Sequence, residues 1–346
     1  MTSNAIKLPD KPRILVARTD RIGDVVLSLP VFASIRAAWP EAYVCALTRD
    51  YTRGLLEGQS GIDDVVSFES SSNHIPAGAF MKTLSEIRSR KFDAAVALFS
   101  NFSVAALLAM AGIPVRIGPA SKAAQIFFTH RIKQRRSKGQ RHEADHNLDL
   151  LAPLGVTPVR RAELKVSDGA RKVFAKTDGR PLVGIHPGSG GSSRNWPESN
   201  YSRLASGLAG AGVDVALTGS AAERGLVERI ANASGNNAQV YIGKNGVMEL
   251  AGALSELDVF VAPSTGPLHI ASAVGTPVVG IYCPIFVCLP QRWGPIGPND
   301  SAIVPDVEPC ERCVGGRCAQ WDCMDKISVE RVKEEVLGKI TSPART

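Results

Sequence analysis

The amino-acid sequence predicts an α/β protein with two doubly wound, parallel-sheet domains of the Rossmann-like kind. Short apolar runs typical of buried strands alternate with stretches of helical periodicity, the order that gives parallel sheets covered on both faces. This alternation occurs twice along the 346 residues, with a less patterned stretch at 156–180 between the halves. Such sheets bind ligands at the carboxyl ends of their strands. We therefore expect two facing domains with a central cleft.

The first half begins with a strand and an amphipathic helix. In the helix predicted at 24–39, Val25, Leu29, Phe32 and Ile35 fall on one face, and Pro40 ends it. The predicted strands lie at 13–18, 42–47, 92–98 and 115–118, and the further helices at 79–90, 104–111 and 142–154.

The second half repeats this alternation. Its predicted strands lie at 181–186, 213–218, 257–262 and 277–282, and its helices at 201–211, 221–233 and 266–274. A last helix at 328–340 begins at a good N-cap residue, Ser328, with Glu330 in its first turn and Lys339 in its last. The predicted domains are 1–165 and 166–327, followed by a C-terminal helix and tail at 328–346.

Positive charge is concentrated between residues 131 and 141. The chain has a net charge of +7, and this stretch holds basic but no acidic side chains, namely Arg131, Lys133, Arg135, Arg136, Lys138 and Arg141. Such a run attracts anionic partners, and a solvated basic loop is the alternative interpretation. Since no recognised nucleic-acid motif accompanies it, nucleic acid is not an expected partner.

The location predicted from the sequence is the cytoplasm. The sequence contains no run of roughly 18 apolar residues of the kind that spans a membrane. The polar N-terminus, residues 1–13, lacks the apolar centre of a secretory signal.

The turn after the first strand carries a candidate catalytic carboxylate. Residues 19–24 read Thr-Asp-Arg-Ile-Gly-Asp. Gly23 lets a ligand approach the backbone, and Asp24 at the helix start can act as a general base toward an attacking hydroxyl. Asp24 or Asp20 can equally cap the helix, so both interpretations are open on this pattern alone. The dinucleotide fingerprint GxGxxG is missing.

Two turns in the second half have the composition of phosphate-binding loops. Residues 184–197 are rich in Gly and Ser and include Gly188, Ser189 and Arg194, which can pair with phosphate oxygens. Residues 262–269 follow another strand and contain Ser264, Thr265, Gly266 and His269. The alternatives are flexible loops that bind nothing and, for His269, a structural hydrogen-bonding role.

Four cysteines are clustered in the segment 309–323. The spacing Cys310-x2-Cys313-x4-Cys318-x4-Cys323 can wrap a tetrahedral zinc ion, with Gly315 and Gly316 permitting tight turns. Disulfides, disfavoured in a reducing cytoplasm, and unliganded thiols are the alternatives. We expect this segment to fold as a small appendage that contributes no catalytic group.

Four segments together resemble a known family. Residues 14–40, 142–156, 186–197 and 262–284 are similar in order and spacing to signatures of the ADP-heptose:lipopolysaccharide heptosyltransferases, glycosyltransferase family 9. The resemblance implies a GT-B fold of two facing domains, with the donor bound by the second, and an inverting, metal-independent transfer. Any zinc would then be structural.

The resemblance also assigns roles to residues. It makes Asp24 the general base and puts Arg194 where the family has a phosphate-contacting Lys. The donor contacts that it implies are Gly188, Ser189, Arg194, Glu223, Ser264, Thr265, Gly266 and His269. For the acceptor, expected to be a lipid-linked acidic glycan at an anionic membrane surface, the candidates are Arg21, Gly23, Arg135, Arg136 and Arg141.

One departure from the family bears on the donor. Well-known members have an Asp at the position of Ser264, and a serine accepts weaker hydrogen bonds from sugar hydroxyls than a carboxylate does. ADP-heptose is the expected donor, and a different nucleotide sugar is the alternative that Ser264 leaves open, with the same type of reaction. Two other functions stay open here: a non-catalytic binder of anionic glycans, and a sugar-nucleotide epimerase of similar fold.

Overall fold

The computed structural model describes residues 5–69, 76–166, 173–191, 194–236, 238–243, 246–314 and 318–341. The chain forms two compact units, which we call the N-terminal unit (residues 1–136 and 143–165) and the C-terminal unit (residues 137–142 and 166–346).

The N-terminal unit contains a six-stranded sheet and its helices. The strands are β1 (Arg13–Ala17), β2 (Tyr43–Thr48), β3 (Asp64–Ser67), β4 (Ala94–Ala97), β5 (Val115–Pro119) and β6 (His130–Ile132). The helices are α1 (Ile22–Val26), α2 (Leu29–Ala38), α3 (Asp50–Arg53), α4 (Ala77–Ser89), α5 (Phe102–Met110) and α6 (Glu143–Asp149).

The C-terminal unit repeats this plan. Its strands are β7 (Leu182–Ile185), β8 (Asp214–Gly219), β9 (Ala238–Ile242), β10 (Val259–Pro263), β11 (Val278–Ile281) and β12 (Ser301–Ile303). Its helices are α7 (Glu198–Ala209), α8 (Arg224–Ala233), α9 (Val247–Ser255), α10 (Gly266–Ala273), α11 (Pro290–Trp293) and α12 (Val329–Thr341).

Both sheets have the same strand order. The first is β3-β2-β1-β4-β5-β6, and the second, read from its other edge, is β9-β8-β7-β10-β11-β12. The strand pairs are parallel. In this doubly wound order the direction in which strands are added to the sheet reverses between β1 and β4, and again between β7 and β10. The crevice outside the carboxyl ends of those strands is where such sheets bind ligands.

The predicted apolar faces form the cores. Val25, Leu29, Phe32 and Ile35 are all buried. The predicted helix at 24–39 is two helices instead, because Pro30 in the first turn of α2 cannot donate a backbone hydrogen bond to the turn before it. Ser28, at the break, donates its hydroxyl to the Val25 carbonyl at 2.6 Å.

The strands that the sequence pattern did not predict are β3, β6, β9 and β12, and each lies at a sheet edge. Edge strands are covered less completely than central ones and so need no continuous apolar run. The predicted C-terminal helix is present, and the Ser328 hydroxyl oxygen accepts a hydrogen bond from the Arg331 N–H at 3.2 Å. Across the described residues, no helix combines the length and apolar character needed to cross a membrane.

Candidate active site

A buried arginine lies at the carboxyl end of β1. The side chain of Arg18 is 2% exposed and is surrounded by three carboxylates. Its guanidinium hydrogen-bonds to Asp24, lies 3.1 Å from Asp20 Oδ2 and 3.1 Å from Glu143 Oε1. Burial alone would lower the pKa of Arg18, but the charges of Asp24, Asp20 and Glu143 outweigh it and raise the pKa. Arg18 therefore stays charged and offsets part of the negative charge of the three carboxylates.

The two aspartates of the 19–24 turn are placed differently. Burial raises the pKa of Asp20, against the lowering influence of Arg18. The Asp24 side chain is 16% exposed and belongs to the first turn of α1. Its Oδ1 accepts from Arg18. No side-chain capping bond is present at the start of α1, so the geometry gives Asp24 an arginine partner and not a cap role.

Helix α6 supplies the other side of the cluster. Asn147 accepts from Arg18 at 2.9 Å and donates to the Leu27 carbonyl at 3.0 Å, which ties α6 to the end of α1. Arg136 is ion-paired with Glu143. One member of the predicted basic run is thus turned inward, whereas Arg135 and Arg141 are exposed.

In the C-terminal unit, the loop after β7 is built around Glu223. A Cβ atom on Gly188 would clash with the Glu223 carboxylate, so any larger residue here would have to displace that carboxylate from its hydrogen bonds. Glu223 accepts hydrogen bonds from Ser220 N at 2.9 Å and Ser220 Oγ at 2.7 Å, and the N–H of Gly190 also donates to it. Burial alone would raise the pKa of Glu223. These hydrogen bonds and the neighbouring His186 outweigh burial and lower that pKa.

The turn after β10 lies beside that loop at the switch point of the sheet. Thr265 is the N-cap residue of α10, and its hydroxyl donates to the Pro263 carbonyl at 3.1 Å. The hydroxyl of Ser264 is hydrogen-bonded to Tyr282. Gly266 begins α10, so backbone N–H groups of this turn are available to an anion.

His269 is buried inside the C-terminal unit. Burial, with a contribution from nearby His142, lowers the pKa of His269 to about 3, so the ring is neutral. Its Nδ1 has no hydrogen-bond partner among the described residues. The unpartnered Nδ1 does not show the structural hydrogen-bonding role, so the donor contact of His269 stays a prediction.

Arg194 connects the β7 loop to the cysteine-rich segment. Its Nη1 lies 3.5 Å from Cys313 Sγ, and its Nη2 donates to the Trp321 carbonyl. A guanidinium has five N–H groups, and these contacts use two. The sequence did not predict that a donor-loop arginine contacts the cysteines.

The cysteine-rich segment is packed into the C-terminal unit. Cys323 and Met324 belong to its hydrophobic core, and Trp196 Nε1 donates to the Ile327 carbonyl at 2.9 Å just beyond them. Cys313 is exposed and Cys310 and Cys318 are partly buried, so only the end of the segment lies in the core, and the expected small appendage without a catalytic group stays a prediction. None of the seven cysteines, all within the described residues, forms a disulfide. Gly315 and Gly316 lie outside those residues.

Comparison with known proteins decides the family. The model of glycosyltransferase family 9 (heptosyltransferase) matches residues 80–321. The chain belongs to glycosyltransferase family 9. It is 32% identical over 307 residues to a putative glycosyltransferase of Haemophilus influenzae, covering 84% of this chain and 88% of that protein. It is 25% identical to lipopolysaccharide heptosyltransferase 2 of Escherichia coli, covering 79% and 83%.

The fold of this glycosyltransferase is GT-B. The structure of E. coli ADP-heptose lipopolysaccharide heptosyltransferase II superposes with a TM-score of 0.78 at 21% identity, covering 95% of this chain and 98% of that one. The predicted fold and family are confirmed, and the binder and epimerase alternatives are not favoured.

Two members of the Arg18 cluster, Arg18 itself and Glu143, were not identified from the sequence. Arg18 ends an apolar strand, and Glu143 lies in a helix more than a hundred residues away, so no spacing connects them. The available signal was their charge: a basic residue directly after a buried strand and an acidic one in a mostly buried helix need a partner.

Proposed function

We propose that this family 9 glycosyltransferase transfers heptose from ADP-heptose to a glycan acceptor of the lipopolysaccharide core. The observation that best supports this proposal is the Arg18 cluster at the switch point of the first sheet. The cluster holds Asp24 at the carboxyl end of β1. The sugar donor and acceptor are those named for the E. coli relatives.

In the proposed reaction Asp24 is the general base. It takes the proton of the acceptor hydroxyl, whose oxygen attacks the anomeric carbon with inversion as the nucleoside diphosphate leaves with the bonding electrons. The bond from Arg18 to Asp24 Oδ1 fixes the carboxylate and leaves Oδ2 to receive the proton. Asp20 and Glu143 also pair with Arg18 and keep it charged, and Arg136 offsets the charge of Glu143.

The donor site in this proposal is the switch point of the second sheet. The backbone of Ser189, the Thr265–Gly266 turn and the remaining N–H groups of Arg194 surround the diphosphate and stabilise its developing charge, so that no step needs a metal ion. Glu223 borders the nucleotide side of the site through its contact with Gly188. Ser264, held by Tyr282, faces the sugar in place of the family's aspartate.

The acceptor is bound by the N-terminal unit in this proposal. Arg21 and Arg135 are exposed on this unit, where Gly23 is half-buried, and Arg141 is exposed in the stretch 137–142 of the C-terminal unit. They attract an acidic, lipid-linked glycan, which places the enzyme in the cytoplasm at the inner face of the inner membrane. Arg136 acts indirectly, through its pair with Glu143.

The proposal is tested by a donor panel. Purified enzyme is given ADP-heptose, ADP-glucose and UDP-glucose with a heptose-deficient core acceptor, and nucleoside diphosphate release and product mass are measured. We expect product from ADP-heptose alone, with no need for added Mg²⁺. Product from another donor, or activity that EDTA abolishes and Mg²⁺ restores, contradicts the donor or the metal-free mechanism respectively.

The acceptor claim has its own comparison. Arg135→Gln/Arg141→Gln is compared with Arg203→Gln/Arg229→Gln, two exposed arginines on α7 and α8. The first pair should raise the KM for acceptor severalfold at low salt and lose this effect at high salt. Equal KM values for both pairs would leave the basic run as a solvated loop.

A further inference from the structure

Four thiols surround a small cavity in the C-terminal unit. The cavity of ≈ 20 Å³ is lined by Cys310, Cys313, Cys318 and Cys323, together with Arg194, Pro284, Ile285 and Gln320. We propose that it is the site of one thiophilic metal ion, Zn²⁺ or iron, held by the four cysteine sulfurs. The four cysteines take no part in the proposed transfer, although Arg194 borders both this cavity and the proposed donor site. The inference does not rest on the proposed donor or acceptor.

The cavity has the size for a single ion. About 10–15 Å³ is enough for one water-sized sphere, and a tetrahedral metal–thiolate centre replaces such a sphere with sulfurs about 2.3 Å from the metal. Among the described residues no three His, Cys, Asp or Glu side chains already converge on one point. Metal binding therefore requires the four sulfurs to turn toward the cavity that their residues line.

Hydrogen-bond donors already point at two of these sulfurs. The backbone N–H of Gln320 donates to Cys318 Sγ at 3.4 Å, and Arg194 Nη1 donates to Cys313 Sγ at 3.5 Å. N–H groups and a guanidinium stabilise a thiolate more than a thiol. A divalent ion with four thiolates carries a net charge of −2, and Arg194 offsets part of it. On binding, each thiol releases its proton to solvent.

The backbone holds the outer two ligands in place. Two backbone hydrogen bonds hold Cys310 against the chain after β11. The Cys310 N–H donates to the Pro284 carbonyl, and the Phe286 N–H donates to the Cys310 carbonyl, both at 2.8 Å. Cys323 is buried in the hydrophobic core. The ion would thus connect the chain after β11, the four cysteines and the Arg194 loop, and so position Arg194.

The test is metal content. Enzyme purified under reducing conditions, and reconstituted with Zn²⁺ or Fe²⁺, is desalted and its metals are measured. We expect about one equivalent per chain, and the absorption of the cobalt-substituted protein should show tetrahedral thiolate ligation. Elemental analysis separates zinc from iron. No bound metal before or after reconstitution, or disulfides detected by mass, overturns the proposal.

Matched variants identify the ligands. Cys→Ser at 310, 313, 318 or 323 should each remove most of the metal, whereas Cys45→Ala in the N-terminal unit and Cys288→Ala, which does not line the cavity, should retain it. Circular dichroism shows whether each variant is folded. Metal retained in all four serine variants, or lost in Cys288→Ala alone, contradicts this ligand set.

Discussion

Glu143 Oε1 lies 3.1 Å from Nη1 of Arg18, although 125 positions separate the two residues. Their contact fastens α6 to the carboxyl end of β1. The same guanidinium bonds to Asp24, so the position of the candidate base depends on a helix late in the N-terminal unit.

Removing the arginine should destabilise the protein strongly. Arg18→Met leaves Asp20, Asp24 and Glu143 buried or half-buried without its charge, and we expect a loss of about 3–5 kcal/mol in the free energy of unfolding. Urea denaturation measures it. The control is Arg36→Met, whose pair with Asp63 is partly exposed (26% and 39%) and should cost less than about 1 kcal/mol. Similar losses in both variants would contradict a structural role for the cluster.

Asp24→Asn should abolish base catalysis while preserving shape. The amide oxygen can still accept from Arg18 but cannot take a proton, so we expect kcat to fall about 100-fold or more with little change in donor Kd. The comparison variant is Asp20→Asn, which alters the neighbouring carboxylate 3.1 Å from Arg18. Its kcat should fall less than that of Asp24→Asn. If Asp20→Asn proves as harmful as Asp24→Asn, the base assignment is wrong.

Gly188→Ala should damage the donor loop through Glu223. The added methyl would lie 2.0 Å from Glu223 Oε1 and must displace the carboxylate or the loop. We expect donor affinity to fall about 10-fold, or about 1.4 kcal/mol, as measured by calorimetry. The control is Gly207→Ala on α7, whose new Cβ would come no closer than 3.6 Å to the flexible Lys333.

The double variant Gly188→Ala/Glu223→Ala tests the cause. Since removal of the carboxylate also removes the clash, the two changes should be less than additive. Full additivity would show that the glycine matters for another reason.

The central strands and the ligand-bearing turns could be predicted from the sequence because burial on both faces imposes continuous apolar runs. The edge strands were missed for the converse reason: β6, at His130–Ile132, is short and only partly covered. The candidate base was found because Asp24 stands in a local strand-to-helix turn. The pair of Arg18 and Glu143, which surrounds Asp24, was not found, since the proximity of these two residues is created by the tertiary fold and by no local pattern.

The Arg194 contacts are a second feature that could not be predicted from the sequence. The loop composition predicted a phosphate ligand, but the bonds from Arg194 to Cys313 and Trp321 join segments separated by more than a hundred residues. The cysteine spacing similarly indicated a compact segment and gave no sign that Cys323 belongs to the core. Packing between distant segments, which periodicity does not encode, determined both.

His269 should make stability depend on pH. Its pKa is about 3 in the folded protein, against an ordinary value of 6.5, because burial disfavours the charged ring. A group with a lowered pKa contributes stability that is present above pH 6.5 and is lost as the pH falls toward 3. The reason is that in this range the ring binds a proton in the unfolded chain but not in the folded protein. Between pH 6.5 and 5 this loss amounts to about 2 kcal/mol. Burial also lowers the pKa of His186, which adds a loss of the same sign.

The variant His269→Asn isolates this contribution. It removes one titrating ring, so its free energy of unfolding should fall less steeply than that of the wild type between pH 6.5 and 5, whatever its stability at pH 7. Urea denaturation at a series of pH values gives the slopes, and subtracting the two curves cancels His186 and the carboxylates common to both proteins. Ile270→Val, a buried neighbour on α10 without a titrating group, should lower stability by about 0.5–1.5 kcal/mol and keep the wild-type slope. Parallel curves for His269→Asn and the wild type would mean that the ring is protonated in the folded protein as readily as in the unfolded chain.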